Sequence, residues 1–345
     1  MDLYFLIIFS QNRLMPKHDY AGCRCLVYRE KLLFCSSRRL ICLLTAAFIA
    51  CLAACGGSAK LPGPPSGTQH LYVGGITGQA LQFALPLAAS SPTPTATLSL
   101  PTAIDVSALA VDSAGNLAVG AFGGTISIFK APIASSTSAS ATFQNGTATN
   151  VLQLTFNSAG DLFATTFSNT INVFTHPLTS ASTPSQVITN VNLIRSDGLA
   201  FDSANNLIVT NTPTPTSSNL LVLAPPYTGL PIATAAIPAA SYRQMAISGT
   251  QLFVVNSQVS ASKIDVYNLP ITAASAPAFV ISNGLFGGSV SGSGVAVDSS
   301  GNLYAGLSGN LGTTDSGAIR IYVPPFSSAP SVAAGVFGIT LAVGK

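Results

Sequence analysis

One apolar landmark recurs along most of this chain and limits what it can fold into. A leucine opens a short strand-like run at Leu71, Leu117, Leu162, Leu207, Leu252 and Leu303, at spacings of 46, 45, 45, 45 and 51 residues. A second landmark keeps the same period. It is a proline three residues after an aromatic or leucine, at Phe83/Pro86, Phe129/Pro132, Phe174/Pro177, Leu223/Pro226, Tyr267/Pro270 and Tyr322/Pro325. Two independent markers on one period define a tandem array of six units.

Each unit reads as four strands. The first is short and apolar, as in Leu109-Ala110-Val111, Leu199-Ala200-Phe201 and Val295-Ala296-Val297. A turn follows, written DSAGN, NSAGD, DSANN, SGTQ or DSSGN. In it an Asp or Asn side chain can accept a backbone N–H two residues on, while Gly or Asn supplies positive φ. Asp112, Asp202 and Asp298 are therefore read as hairpin caps and not as a metal ring. The leucine landmark makes the second strand. The third is ISIF, INVF, LLVL, IDVY or IRIY, rich in β-branched and aromatic residues, and its terminal Pro cannot donate to a ladder. A fourth, edge-like strand follows, such as ATFQ or FVIS. Strand-built repeats of about 45 residues indicate propeller blades. Both strand faces are largely apolar, as expected of a blade packed between two others.

The ends predict closure. No apolar first strand precedes Leu71, whereas Leu341-Ala342-Val343 at the C-terminus matches Leu109-Ala110-Val111 with no unit behind it. A C-terminal strand that completes the first blade leaves no open edge in the ring. The expected fold is an all-β, six-bladed β-propeller over 68–345, closed by that strand. Val297-Asp298-Ser299-Ser300-Gly301-Asn302-Leu303-Tyr304-Ala305 resembles the repeat of the bacterial NHL and YVTN-type propellers. That resemblance runs over about 280 residues and concerns the fold. With no Trp, the chain has no Trp-Asp dipeptide and does not read as a WD-repeat protein.

Charge and cysteine divide the chain in two. Residues 1–54 carry seven basic and three acidic side chains, and the remainder carries seven basic and eight acidic. A near-neutral body has no electrostatic footprint for a phosphate backbone, so no nucleic acid is expected. All six cysteines lie between 23 and 55. The repeats therefore hold no internal disulfide and no thiolate cluster, and Cys23/Cys25 lack the second pair a zinc site needs. Arg38-Arg39 precede an uncharged run, Leu40–Ala54, which is too short to span a bilayer and matches the core of a secretory signal. Leu52-Ala53-Ala54-Cys55-Gly56 resembles the bacterial lipoprotein box. The resemblance implies a cleaved leader over 38–54 and a diacylglyceryl group on Cys55. With Gly56 in place of Asp after the cysteine, it implies an outer-membrane or cell-surface address. Residues 1–37 fit no leader pattern and read as a misplaced start or as disorder. Residues 55–67, with GGSAKLPGPPSG after Cys55, read as a flexible tether.

Candidate site residues follow from the repeat frame. Two positions before the landmark apolar residue of each first strand stand Ser107, Leu152, Asp197, Arg243, Ser293 and Ile339. One position before stand Ala108, Gln153, Gly198, Gln244, Gly294 and Thr340. These positions, just ahead of each first strand, are expected at the mouth of the central channel. Asp197, Arg243, Gln153, Gln244, Ser107 and Ser293 are the candidate ligand-binding residues. Asp197 and Arg243 occupy equivalent places in adjacent blades, where they either meet a ligand or pair with each other and seal the channel.

Ser196-Asp197-Gly198-Leu199-Ala200-Phe201-Asp202 resembles the Asp-Gly segment of the gluconolactonase family. There the matching Asp is one of three divalent-metal ligands that polarise a lactone carbonyl, with an Asn and a Glu. The position one blade earlier holds Leu152, and no glutamate follows Glu30. One carboxylate is too few oxygens for a hard cation. His70 and His176 are read as surface residues. No cofactor, metal or catalytic residue is expected. The chain reads as a monomeric, lipid-anchored binding or scaffold protein of the cell envelope. It would meet another envelope protein or a glycan through the channel mouth and loops 211–219, 256–262 and 306–317. The alternative is a gluconolactonase- or lyase-like hydrolase using Asp197.

Overall fold

The computed structural model describes residues 68–345, apart from 76–77, 88–90, 101–104, 149, 167, 191, 215–216, 239, 258–261, 283–290, 309–317, 335 and 337–338. The leader, Cys55 and the tether thus lie outside the described residues. The compact unit Ser66–Lys345 is a six-bladed β-propeller without a helix among its described residues.

Blade 1 takes β1 (His70–Gly74), β2 (Gln79–Ala84) and β3 (Ala96–Ser99). Blade 2 is β4 (Val106–Val111), β5 (Leu117–Ala121), β6 (Thr125–Phe129) and β7 (Ala141–Gln144). Blade 3 is β8 (Leu154–Phe156), β9 (Leu162–Thr165), β10 (Thr170–Phe174) and β11 (Gln186–Thr189). Blade 4 is β12 (Ser196–Phe201), β13 (Leu207–Thr214), β14 (Ser217–Leu223) and β15 (Ala233–Pro238). Blade 5 is β16 (Tyr242–Ser248), β17 (Gln251–Asn256), β18 (Lys263–Asn268) and β19 (Phe279–Ile281). Blade 6 is β20 (Ser291–Val297), β21 (Leu303–Ser308), β22 (Ala318–Tyr322) and β23 (Ser331–Ala334). The last strand, β24 (Thr340–Gly344), completes blade 1 in the order β24-β1-β2-β3. Its antiparallel register pairs His70 with Gly344, Leu71 with Val343 and Gly74 with Thr340. All sheets are antiparallel meanders, and all six landmark prolines follow cis peptide bonds.

The core explains why the strands lack polar–apolar alternation. The buried side chains form six apolar clusters, one at each junction between neighbouring blades. On β5, Leu117, Val119 and Ala121 pack toward blade 1, while Ala118 packs toward blade 3. Each sheet is therefore buried on both faces, and period-two alternation distributes apolar residues between two cores. Turn chemistry sets the inner hairpins. Asp112 Oδ1 accepts the N–H of Ala114 (2.9 Å) and of Asn116 (2.8 Å), and its Oδ2 accepts the Asn116 amide (2.7 Å). Asp202 and Asp298 repeat the arrangement, and Asn157 takes the same role in blade 3.

Two expectations change. In the segment 211–219 the described residues are strand and not loop: β13 runs to Thr214 and β14 starts at Ser217, and these two pair with each other. Its β-branched threonines suit extended backbone, and their polarity masks this in the sequence. Of the other two, 258–261 and 309–317 lie outside the described residues. His70 is not a free surface residue either. It is half-buried, its Nδ1 has no hydrogen-bond partner among the described residues, and burial lowers its pKa.

Candidate functional site at the channel mouth

Register slips in the innermost strands build the site. On β4, Val106 faces Ala121 and Ala108 faces Gly120, so Ser107 is an extra residue. On β12, Ser196 faces Asn211 and Gly198 faces Thr210, which leaves Asp197 extra. On β20, Gly292 faces Leu307 and Gly294 faces Gly306, which leaves Ser293. On β16, Arg243 and Gln244 share the slip between the Tyr242–Asn256 and Met245–Val254 pairs. Just before β8, Leu152 N donates to Thr165 O (3.1 Å) and Thr165 N donates to Gln153 O (3.0 Å), two residues against one. A bulge re-aims the inserted side chain and bends the strand. The candidates on β4, β12, β16 and β20 thus sit inside these first strands at irregularities, not ahead of them as the repeat frame predicts.

Ser107, Gln153, Asp197, Arg243, Gln244 and Ser293 all line one cavity of about 200 Å³, together with Phe122, Leu152, Ile339 and Thr340. Glycine makes the convergence sterically possible. A Cβ on Gly198 would stand 2.5 Å from Arg243 O and 3.0 Å from Thr210 Oγ1.

Asp197 and Arg243 do not pair with each other. Arg195 Nε donates to Asp197 Oδ1 at 3.0 Å, and Thr212 also bonds that carboxyl. Arg243 is exposed, and its Nε donates to Ser257 Oγ at 3.1 Å. Burial raises the Asp197 pKa, and the charges of Arg195 and Arg243 only partly oppose this. Arg195 was not legible as a site residue. The available signal was an opposite charge two residues away in a sparsely charged chain.

The remaining candidates divide by what already holds them. Ser107 Oγ bonds Val151 O and Gly120 O. Gln153 Nε2 makes one long bond to Leu154 O (3.3 Å). Gln244 lines the mouth, yet its amide is engaged throughout. Nε2 donates to Leu341 O (3.1 Å) and Thr340 Oγ1 (3.3 Å), while Oε1 accepts Val295 N (3.0 Å) and Leu341 N (3.3 Å).

A divalent cation does not fit this donor set. Asp197 is the one carboxylate lining the cavity among the described residues, it is flanked by two guanidinium groups, and Leu152 faces the same space. The raised pKa makes a testable statement. Burial favours the neutral acid, so the folded protein keeps this proton where the unfolded chain has lost it. That stabilisation is full below the unfolded-state pKa and is lost as pH rises through the folded-state value. Thermal melts of the wild type and Asp197→Asn from about pH 3 to pH 8 should show the wild type losing stability relative to the variant with rising pH. Parallel curves would remove the buried-acid account.

No family model matches the chain, and no curated protein is similar to it. Solved structures are similar in shape. The Cps50 (Swd1) β-propeller domain of Myceliophteria thermophila shares 12% identity over 77% of this chain and 83% of its own, with a TM-score of 0.55. A structure of the nidogen/laminin complex aligns at 13% identity, over 80% and 98%, with a TM-score of 0.57. The periplasmic gluconolactonase PpgL of Pseudomonas aeruginosa aligns at 14% identity, over 77% and 82%, with a TM-score of 0.54. What they share with this chain is the fold. At these identities no residue role passes from one to another.

Proposed function

We propose that the protein is a lipid-anchored binding protein of the cell envelope whose channel mouth receives a polar group of another envelope component, protein or glycan. One observation carries the reading: equivalent positions from several blades converge on one small cavity lined by the Asp197 carboxyl and the Arg243 guanidinium, with Arg195 bonded to that carboxyl, in a domain that is otherwise sparsely charged. A cavity of about 200 Å³ suits a side chain or a single sugar ring more than a whole ligand. Arg243 on the cavity wall, with Arg195 already bonded to the one acid, favours an anionic or acceptor-rich group there. The lipoprotein box at Cys55 supports the anchor, since stable attachment takes more than one acyl chain and that modification supplies them. No catalytic role is assigned to Asp197.

The test immobilises the protein and exposes it to envelope extract beside Asp197→Ala and Arg243→Ala. A defined component retained by the wild type and lost about tenfold or more in both variants is expected, since each variant removes a charged hydrogen bond. Equal retention by all three would overturn the mouth as the binding site. Cys55→Ala should move the protein from the membrane to the soluble fraction, and unchanged partition would overturn the anchor.

A further inference from the structure

A second cavity, which shares no residue with the mouth, lies at the junction of blades 2 and 3. It encloses about 770 Å³ between the segment that follows β7 and the β9–β10 turn. Its polar wall holds Thr147, Asn150, Thr166, Ser168, Thr170 and Asn172, and among the described residues none that lines it carries a charge. An adjoining cleft of about 440 Å³ shares Gly146 and Pro184 with it and continues along β7, again without a charged side chain. Together they form an elongated groove.

Asn172 shows that this groove is built. In the repeat frame it stands two residues before the third-strand landmark, a position that holds Leu81 and Leu221 in blades 1 and 4 and Ser127, Asp265 and Arg320 in blades 2, 5 and 6. It is buried (5% exposed), and its Nδ2 donates to Asn145 O (3.1 Å) and Asn145 Oδ1 (2.9 Å). The bonds from Asn172 tie β10 to the segment after β7, and Asn145 in turn donates to Asn150 O (3.1 Å) within that segment. Asn172 Oδ1 accepts no hydrogen bond from the described residues. Blade 5 has Asp265 at the same position, but Tyr242 OH (3.1 Å) and Asn256 Nδ2 (2.9 Å) both donate to its Oδ2 and close it inside the protein. A buried amide whose acceptor is left unused and which lines an open cavity is a feature of the kind found at functional sites.

At the start of β10 and in the turn before it, three hydroxyls stand together. Ser168 Oγ lies 2.8 Å from Thr170 Oγ1, and Thr166 Oγ1 contacts both. Each hydroxyl has one donor and two acceptor sites, so the cluster retains capacity beyond its internal bonds. Pro184 and the half-exposed Val187 add apolar surface beside this polar wall.

We infer that the blade 2–blade 3 groove binds a neutral oligosaccharide. Hydroxyls and amides present mixed donors and acceptors without charge, which matches the alternating donors and acceptors of sugar hydroxyls. An anionic or cationic ligand finds no counter-charge there. The volume falls in the range of small-molecule sites and exceeds what an ion or single amino acid needs. Pro184 and Val187 can lie against the C–H face of a pyranose ring.

The experiment uses the full-length protein in a detergent without a sugar headgroup. The probes are maltoheptaose, cellohexaose and N-acetylchitohexaose, with polygalacturonate as the acidic counterpart and an uncharged Ser/Thr-rich peptide as the protein counterpart. Saturation-transfer NMR and calorimetric titration read binding, and thermal melts read folding. At least one neutral oligosaccharide is expected to bind. Ser168→Ala and Thr170→Val should weaken it about tenfold without changing the melting temperature, because each removes one cavity-lining hydroxyl, exposed at Ser168 and half-buried at Thr170. Asn172→Leu, which installs the residue of blade 4, should abolish it, and Arg243→Ala should leave it unchanged. Absence of neutral-saccharide binding, insensitivity to the hydroxyl variants, or preference for the peptide or polygalacturonate overturns the proposal. Loss of mouth binding alone leaves it standing, because the two sites share no residue.

Discussion

A chain ending at Gly338 is expected to lose its cooperative unfolding transition, or to melt at least about 10 °C below the intact protein. The seven residues removed contain all of β24, which pairs with β1 at five consecutive positions. Leu341 is buried in the cluster shared by blades 1 and 6, with Leu71 and Val73. Gly344 lies against blade 2 so closely that a Cβ there would stand 2.3 Å from Val111 Cγ1. Removing the strand therefore exposes one edge of β1 and opens the junctions to blades 6 and 2 together. Truncating one buried leucine typically costs about 2–5 kcal/mol, and here a leucine, its neighbours and a full ladder go at once. That loss is comparable to the whole stability of an ordinary domain, about 5–15 kcal/mol. Circular dichroism melts in urea check it. Moving residues 339–345 ahead of His70 through a short hairpin should restore the transition, since β24 runs antiparallel to β1. Intact-like melting of the truncated chain would show that the ring does not depend on this strand.

What the sequence made legible is the part of the fold set by periodicity and turn chemistry. The leucine and proline landmarks located all six sheets, and Asp112, Asp202 and Asp298 announced their hairpins through side chains that cap their own turns. Closure was legible because Leu341-Ala342-Val343 repeats an inner strand with no hairpin after it. The candidate site was legible as a set of positions but not as a geometry. A bulge inserts one residue, and one residue is invisible against a period of about 45. The Asp197–Arg195 pair, made between β12 and the residue just before it, was therefore hidden behind the apparent match of Asp197 with Arg243. The groove beside Asn172 was hidden for another reason. Thr, Ser and Asn carry no titratable signature, and only the fold shows which of them sit at a buried junction and which at a turn. The strands at 211–219 were misread on the same grounds.

Gln244→Leu is expected to destabilise the protein by about 3–5 kcal/mol, whereas Gln153→Leu should cost about 1 kcal/mol or less. The two glutamines occupy one place in the repeat and line one cavity, so composition and position alone predict equal effects. Their bonding differs. Gln153 makes a single long bond to the carbonyl of its neighbour Leu154. Gln244, from blade 5, reaches Val295 N on blade 6 and both Leu341 backbone groups on β24, and so ties three blades at the closure seam. Gly294 permits this approach, since a Cβ there would stand 2.9 Å from Gln244 Oε1 and 3.1 Å from Leu341 N. Leucine at 244 fills similar space but strands those backbone groups in a buried setting, where each orphan costs about 1–3 kcal/mol. The same contacts place Gln244 in the mouth's support. The variant should thus also loosen the cavity that Asp197 and Arg243 line, while Gln153→Leu leaves its shape intact. Urea midpoints of the two variants decide the matter: a difference of less than about 1 kcal/mol would mean that the amide at 244 does not hold the seam.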